Sequence, residues 1–388
     1  MFEGCGDGSG VARCLKSLGG ILKRQYQYNE SQALFQDAKS KFEDTGDALG
    51  VAQCLHSLGD ILYLQHQHDK ARPCLQEAKI KFEDIGSDIG VAQCLRSLSS
   101  ILISEGRYDK ARAFLQDAKT KSENAGFATE VVNCLHILGD VLCMQHQYDK
   151  AQASIQEAKT KYEDIGFAPG VAQCLHSLGN ILCMQHRYDE ARASVQEAKT
   201  KYKDIGNALG VAQCQQILGN ILHKHYQYNE ARAFLQDAKD KYEDIGFTLG
   251  AARCLQSLAN ILYMQHQYDD ARAFVQDAKT KFEHINDALG VAQCLRGLGG
   301  ILHAQHQYDE ARSFLQEAKT KFEGIGSAIG VAQCLRSLGN ILYNQDRVNE
   351  AQAFLQEAKD KFESIGDNSQ VAWCTKALAK IAGSSGLS

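Results

Sequence analysis

Proline is almost missing: Pro73 and Pro169 are the only two in 388 residues. Tryptophan occurs once, at Trp373, and methionine four times. No apolar run approaches the ~20 residues that a membrane span requires, so no membrane partner is read. The N-terminus has no basic start followed by an apolar core, which speaks against a secretory signal. The glycines of residues 4–10 are followed by no Lys-Ser or Lys-Thr and preceded by no strand, so they form no phosphate loop. Serine, histidine and aspartate fall nowhere into a context for nucleophilic catalysis. The net charge is only −5, and the mixed charge with 44% apolar residues describes a soluble chain.

What the chain has in abundance is repetition. From Val11 to Gln370 it repeats every 40 residues with no insertion or deletion. A cysteine marks one fixed slot: Cys14, Cys54, Cys94, Cys134, Cys174, Cys214, Cys254, Cys294, Cys334 and Cys374. A fixed period of this size is the mark of a solenoid, in which each unit contacts only its neighbours. Equivalent atoms of stacked helical units should lie ~8–10 Å apart. A disulfide needs Cα atoms within ~7 Å. The periodic thiols therefore read as reduced, buried filler, and the compartment as the cytoplasm.

Residues 51 to 90 illustrate one unit. Val51, Ala52, Leu55, Leu58, Ile61 and Leu62 recur at helical spacing, giving a helix A. Ala71, Leu75, Ala78, Phe82 and Ile85 do the same for a helix B. Before helix B stand Asn29, Asp69, Asp109, Asp149, Asp189, Asn229, Asp269, Asp309 and Asn349, all good N-cap residues. Helix B should stop at Gly46, Gly86, Gly126, Gly166, Gly206, Gly246, Gly326 and Gly366, with Asn286 as the alternative left-handed residue. An acid four residues before a lysine, as in Glu77 with Lys81 and Asp237 with Lys241, predicts a solvated outer face on helix B. Pro169 falls in an inter-unit turn. Pro73 falls near the first turn of helix B, where at most one ladder bond is lost.

The expected organisation is a remnant of a preceding unit at 1–10, nine tandem units at 11–370, a capping helix at 371–383 and a disordered tail at 384–388. Phe2 and Glu3 align with Phe82 and Glu83, which suggests that the chain is part of a larger polypeptide.

The spacing Leu55, Leu58-Gly59, Leu62, then Ala71, Leu75, Ala78 resembles the tetratricopeptide repeat. The small slot is Gly19, Gly59, Gly139, Gly179, Gly219, Gly299 and Gly339, with Ser99 and Ala259 as departures. Tyr28, Tyr108, Tyr148, Tyr188, Tyr228, Tyr268 and Tyr308 match the aromatic before helix B, with His68 and Val348 departing. The 40-residue unit resembles kinesin-light-chain-like arrays. Its near-identical copies resemble basidiomycete fungal arrays, often attached to NOD-like receptors. The resemblance implies an all-α solenoid, a right-handed superhelix whose A helices line a concave groove that binds extended peptides or partner helices.

Comparing the copies with each other supports that placement. Core slots barely change, whereas the slots on the opposite face of helix A do. One holds Lys16, His56, Arg96, His136, His176, Gln216, Gln256, Arg296 and Arg336. Another holds Lys23, Tyr63, Cys143, Cys183, His223, Tyr263, His303 and Tyr343 among others. A third includes Arg24, Met144, Met184 and Lys224. Between them lie Asp60, Asp140, Asn180, Asn220, Asn260 and Asn340. With Arg13 and Arg253 the face carries nine bases against two acids, or +7, which leaves −12 elsewhere in a chain of −5. A basic groove in an acidic body steers acidic partners. Asparagines can pair with a peptide backbone, and Tyr63, Tyr263, Tyr343 and Trp373 are candidate anchors.

The expected function is a non-enzymatic scaffold or sensor array for an acidic, extended protein or peptide. An RNA-binding array is the alternative, disfavoured by the modest charge and a pI of about 6.2. No cofactor is expected. Cys143 with His146, and Cys183 with His186, lack the converging ligands that zinc needs. The histidines His66, His146, His186, His266 and His306 read as helix C-terminal residues favourable to the dipole. Among the thiols, only Cys143 and Cys183 are placed for reactivity.

Overall fold

The computed structural model describes residues 8–25, 27–65 and 67–385. These residues form nineteen helices and no strand. The chain divides into two compact units, Met1–Lys201 and Tyr202–Ser388.

The first unit holds α1 (Gly8–Arg24), α2 (Tyr28–Asp44), α3 (Ala48–Leu64), α4 (His68–Asp84), α5 (Asp88–Ser104), α6 (Tyr108–Asn124), α7 (Ala128–Met144), α8 (Tyr148–Asp164), α9 (Ala168–Met184) and all but the end of α10 (Tyr188–Asp204). The second holds α11 (Ala208–Lys224), α12 (Tyr228–Asp244), α13 (Thr248–Met264), α14 (Tyr268–His284), α15 (Ala288–Ala304), α16 (Tyr308–Gly324), α17 (Ala328–Asn344), α18 (Val348–Ser364) and α19 (Asn368–Ser385). Odd-numbered helices are A helices and even-numbered ones are B helices.

The helical apolar spacing produces the core it implies. In α3, Val51, Ala52, Cys54, Leu55, Leu58, Ile61 and Leu62 are buried. Ala71, Leu75, Ala78 and Phe82 of α4 meet them. A Cβ on Gly59 would fall 2.5 Å from Leu75 Cγ, so glycine there lets α3 and α4 approach closely. Ser99 and Ala259, small enough for the same slot, are also buried. The periodic cysteines are free and buried except Cys14, which is exposed. Among the described residues no helix pair precedes α1 to cover it.

Both kinds of turn use one motif. After α2, Gly46 takes φ +71°. Its N–H reaches Glu43 O at 3.1 Å, and Asp47 N–H reaches Phe42 O at 2.9 Å, a Schellman ending. The other seven glycines of that slot repeat the positive φ, as does Asn286 at +57°. The residue that closes α2 then opens α3: Asp47 Oδ1 accepts from Gly50 N–H at 2.8 Å. Asn207 and Asp287 cap α11 and α15 in the same way, each at 2.9 Å.

Helix A ends alike, with His146, His186, His266 and His306 left-handed at φ 57–60°. These histidines are therefore not last-turn residues facing the dipole. They are the residue past the cap, and each Nδ1 lies 2.8 Å from the hydroxyl of the tyrosine two residues on. His66 lies outside the described residues.

That ending displaces the expected helix B caps. Gln27, Gln67 and their equivalents occupy the cap position and make no side-chain cap bond. The Asn/Asp slot is the second helical residue instead. Its oxygen accepts from a glutamine of the following unit: Gln65 Nε2 to Asn29 at 2.9 Å, Gln145 to Asp109 at 3.0 Å and Gln305 to Asp269 at 2.9 Å. The recurring ion pairs on helix B also differ. They join a lysine to a glutamate four residues later, as in Lys79–Glu83 at 2.6 Å and Lys319–Glu323 at 2.7 Å. Lys241–Asp237 at 3.2 Å follows the expected order.

Boundaries shift accordingly. Gly8 to Gly10 form the first turn of α1 rather than the tail of a preceding unit. Residues 1–7, with Phe2 and Glu3, lie outside the described residues. Helix α19 starts at Asn368, because Asp367 caps it by accepting from Gln370 N–H at 3.1 Å. It continues to Ser385, past the expected end at 383, since no left-handed residue interrupts it among the described residues; residues 386–388 lie outside them. Pro169 stands at the N-terminus of α9, inside the helix rather than in the turn before it. Pro73 lies within α4.

Candidate binding faces on the A helices

In the first unit α1 touches α3, α3 touches α5 and α5 touches α7; in the second, α11 touches α13 and α15 touches α17. The variable slots lie on these A helices, so neighbouring units bring them side by side.

In the first unit they form polar clusters. Lys23 Nζ meets Asp60 Oδ2 at 2.8 Å. Ser97 Oγ donates to Asp60 Oδ1 at 2.8 Å and lies 3.2 Å from His56 Nε2. Burial pushes the His56 imidazole down, more than the neighbouring Asp60 raises it. Burial also pushes Asp60 up, yet His56, Lys23 and Ser97 together hold it below the usual carboxylate range. Lys16 bonds Gln53 and sits 5.8 Å from the Phe42 ring centroid. His136 Nε2 lies 3.3 Å from Ser177 Oγ. Burial lowers His136 and raises Asp140. His176 is pushed down to about 4 by burial and then by His136. Tyr63 stacks on His68 with centroids 5.4 Å apart. Arg24 and Asn180 are exposed.

Arg96 holds a partner that the slot comparison missed. Its Nε lies 2.6 Å from Glu130 Oε1, and Glu130 is only 6% exposed. Glu130 occupies a slot that is glycine at 10, 50, 90, 170, 210, 250, 290 and 330. A Cβ on Gly90 would fall 2.2 Å from Phe82, and one on Gly170 2.6 Å from Tyr162. The residue corresponding to Phe82 and Tyr162 is here Ser122, buried with its hydroxyl unpartnered. Glu130 takes the space that the aromatic ring takes elsewhere.

The second unit is different in charge. Its five A helices, α11, α13, α15, α17 and α19, contain no aspartate or glutamate. They carry Lys224, Arg253, Arg296, Arg336, Lys376 and Lys380. The two lysines of α19 belong to a helix that the sequence marks only as a cap and lie outside the expected site. Arg296 Nε is buried without a partner. Burial pulls its guanidinium down; Cys334 raises it and Arg336 lowers it further. Arg336 bonds Gln370 and stands 5.2 Å over Trp373. Lys380 stands 5.4 Å over Tyr343. Between α11, α13 and α15 a depression of about 370 Å³ is lined among others by Gln216, Gln256, Asn260, Gln293 and Arg253, with the α15 cap Asp287 also in its lining. Asn220 and Asn340 are half-buried, and Tyr263 is exposed.

A family model described as tetratricopeptide repeat matches residues 10–79, 130–204, 171–244 and 250–323. A second, of the same description, matches 331–364. The chain belongs to the tetratricopeptide repeat family.

No curated protein matches the sequence. Solved structures with the same fold include the apo form of the quorum sensor NprR from B. thuringiensis, with TM-score 0.62 and 12% identity over 90% of this chain and 98% of that one. A Rap protein complexed with competence and sporulation factor gives 0.57 and 14% over 97% and 98%. A Signal Transduction ATPase with Numerous Domains, PH0952 from Pyrococcus horikoshii, described as having a tetratricopeptide repeat sensor, gives 0.58 and 14%. This chain covers 87% of its own length and 54% of that protein.

Within this family fold the chemistry is that of side-chain presentation. Among the described residues no three His, Cys, Asp or Glu side chains are grouped to hold a metal. Burial, followed by Asp140, pushes the Cys143 thiol up to about 11, away from the reactive thiolate. No described helix is long and apolar enough to cross a membrane.

Proposed function

We propose that this tetratricopeptide array is a non-enzymatic binding module. Its ligand is an extended, acidic protein or peptide segment laid against the A-helix face. One observation carries the reading: the A helices of the second unit present six lysines and arginines and no acid. Like-signed cations on one face favour an anionic ligand and speed its encounter. The carboxamides of Gln216, Gln256, Asn260 and Gln293 offer donors and acceptors for peptide groups. In the first unit Lys23 and Arg96 are engaged by Asp60 and Glu130, so the second unit is assigned the larger share of acidic recognition. A Rap protein complexed with competence and sporulation factor and the quorum sensor NprR share the fold and support ligand binding as its use here. The PH0952 description supports a sensor role inside a larger polypeptide, and the free, buried periodic thiols fit a cytoplasmic setting.

The test is fluorescence anisotropy with a labelled glutamate-rich peptide. Arg296→Glu with Arg336→Glu should weaken binding ~10-fold or more, while Arg96→Gln changes it little. Equal binding by wild type and the double variant removes the second unit from the site. A steep salt dependence with oligonucleotide competition would favour RNA instead.

A further inference from the structure

The second unit contains a cavity of about 440 Å³ between α17 and α19, floored by Leu355 of α18. Tyr343, Trp373 and Ile381 supply its apolar walls, and Lys376 and Lys380 its charge. Its volume falls in the roughly 300–1,000 Å³ range of ligand pockets. Trp373 is 41% exposed. It occupies a slot that holds glutamine, asparagine or arginine in every other unit.

The side chains that cross this junction differ from those at the equivalent junction between α3 and α5. Between α3 and α5, Ser97 bonds Asp60 and approaches His56, so three polar side chains reach across from one helix to the other. Between α17 and α19 the same slots hold Ala377, Asn340 and Arg336. Alanine cannot reach across, and Arg336 is drawn onto the Trp373 ring instead. Cations thus stand over both aromatic walls, Arg336 over Trp373 and Lys380 over Tyr343. Arg296, Arg336 and Lys376 share one slot on α15, α17 and α19, so three cations lead to the cavity in register. No acid on those helices opposes them.

We infer that this cavity is the anchor subsite of the array: it takes one large apolar side chain, phenylalanine in size, from an acidic peptide whose flanking carboxylates meet Lys376 and Lys380. The inference rests on the acidic-peptide reading above. A cavity walled by aromatics suits a ring, and charge complementarity selects what surrounds it.

The sole tryptophan reports directly on occupancy. The full chain is titrated with a short glutamate–serine peptide carrying one phenylalanine, and with the same peptide carrying alanine. The phenylalanine peptide should bind at least ~10-fold more tightly and shift Trp373 emission; the alanine peptide should leave the emission unchanged. Ala377→Phe, which fills the cavity and keeps every charge, should reduce the phenylalanine peptide to the affinity of the alanine peptide. Trp373→Ala, read by anisotropy, should do the same and guards against misfolding of the filled variant. If both peptides bind equally and neither variant matters, the anchor is overturned while acidic-peptide binding stands. If neither peptide binds, the parent reading fails and the anchor with it. Peptide-free dimerisation that Ala377→Phe abolishes would make the cavity a self-association surface and overturn the inference.

Discussion

Ser122 and Glu130 depart from the repeat together, and the departures fit one another. In seven other copies a ring at the first position meets a glycine at the second, at separations where no Cβ could stand, and in the last copy Phe362 is followed by Gln370. Here a small serine leaves room for a buried glutamate, which Arg96 neutralises. Burial alone would lower the Arg96 guanidinium, but Glu130 outweighs it and holds it above its ordinary value. Ser122→Phe should therefore drive a ring into Glu130, and Glu130→Gly should leave a void and an unmatched arginine. Each single change is expected to cost about 2–4 kcal/mol in urea unfolding. The double change rebuilds the common arrangement and should recover most of the loss, with a coupling of about 1–3 kcal/mol. Additive losses would show that the two sites do not share space. Both departures are plain in the sequence, but slot-by-slot comparison treats 122 and 130 as unrelated columns. Only the packing of α6 against α7 joins them, which is why Glu130 went uncounted among the acids near the groove.

At the scale of the helix, the left-handed stops after helix B were legible because their mechanism is local: glycine or asparagine follows the last apolar residue. The helix B caps were not, because a two-residue shift of the helix start reassigns the role of every Asn and Asp there. What those residues do, accepting from a glutamine in the next unit, is a contact about 36 positions away along the chain. Histidines on A helices of the first unit carry a pH consequence. His176 titrates at about 4 in the folded protein against an ordinary 6.5. Above pH 6.5 both states are neutral and the folded chain keeps its full stability. Between pH 6.5 and 4 the unfolded chain takes up a proton that folded His176 refuses, so stability falls as pH falls. For this residue alone the loss by pH 4 is on the order of 3 kcal/mol. His56, lowered by burial, and Asp60, held low by His56 and Lys23 despite its burial, act with the same sign; Asp140, raised by burial, opposes them. Urea midpoints followed by circular dichroism should drop between pH 7.5 and 4.5. His176→Gln, the residue that α11 and α13 carry in that slot, should flatten the slope. An unchanged slope would mean that His176 is protonated while folded.

Across the whole molecule, period and apolar spacing made the solenoid class readable from the chain alone. The variable A-helix slots also fall side by side on neighbouring helices. They did not reveal which cations are internally matched, because Lys23–Asp60 and Arg96–Glu130 bridge adjacent units. Nor did they mark α19 as more than an end piece, since its Lys376 and Lys380 gain meaning only beside Tyr343 and Trp373. Removing residues 251–290, one full period, should leave the ellipticity per residue unchanged and unfolding cooperative. Removing Asp287 alone breaks both the α14 closure and the α15 cap and should lower stability by more than the about 1–2 kcal/mol of the cap itself. Equal effects would sever turn chemistry from register. Asp287 closes α14 through its N–H and opens α15 through its carboxylate, with no spare residue between. A joint of that kind has no slack in which a single codon could be gained or lost. Such a chain tolerates growth or shrinkage only in whole copies, so its natural mode of diversification is recombination between neighbours, with new binding surface gained a helix pair at a time.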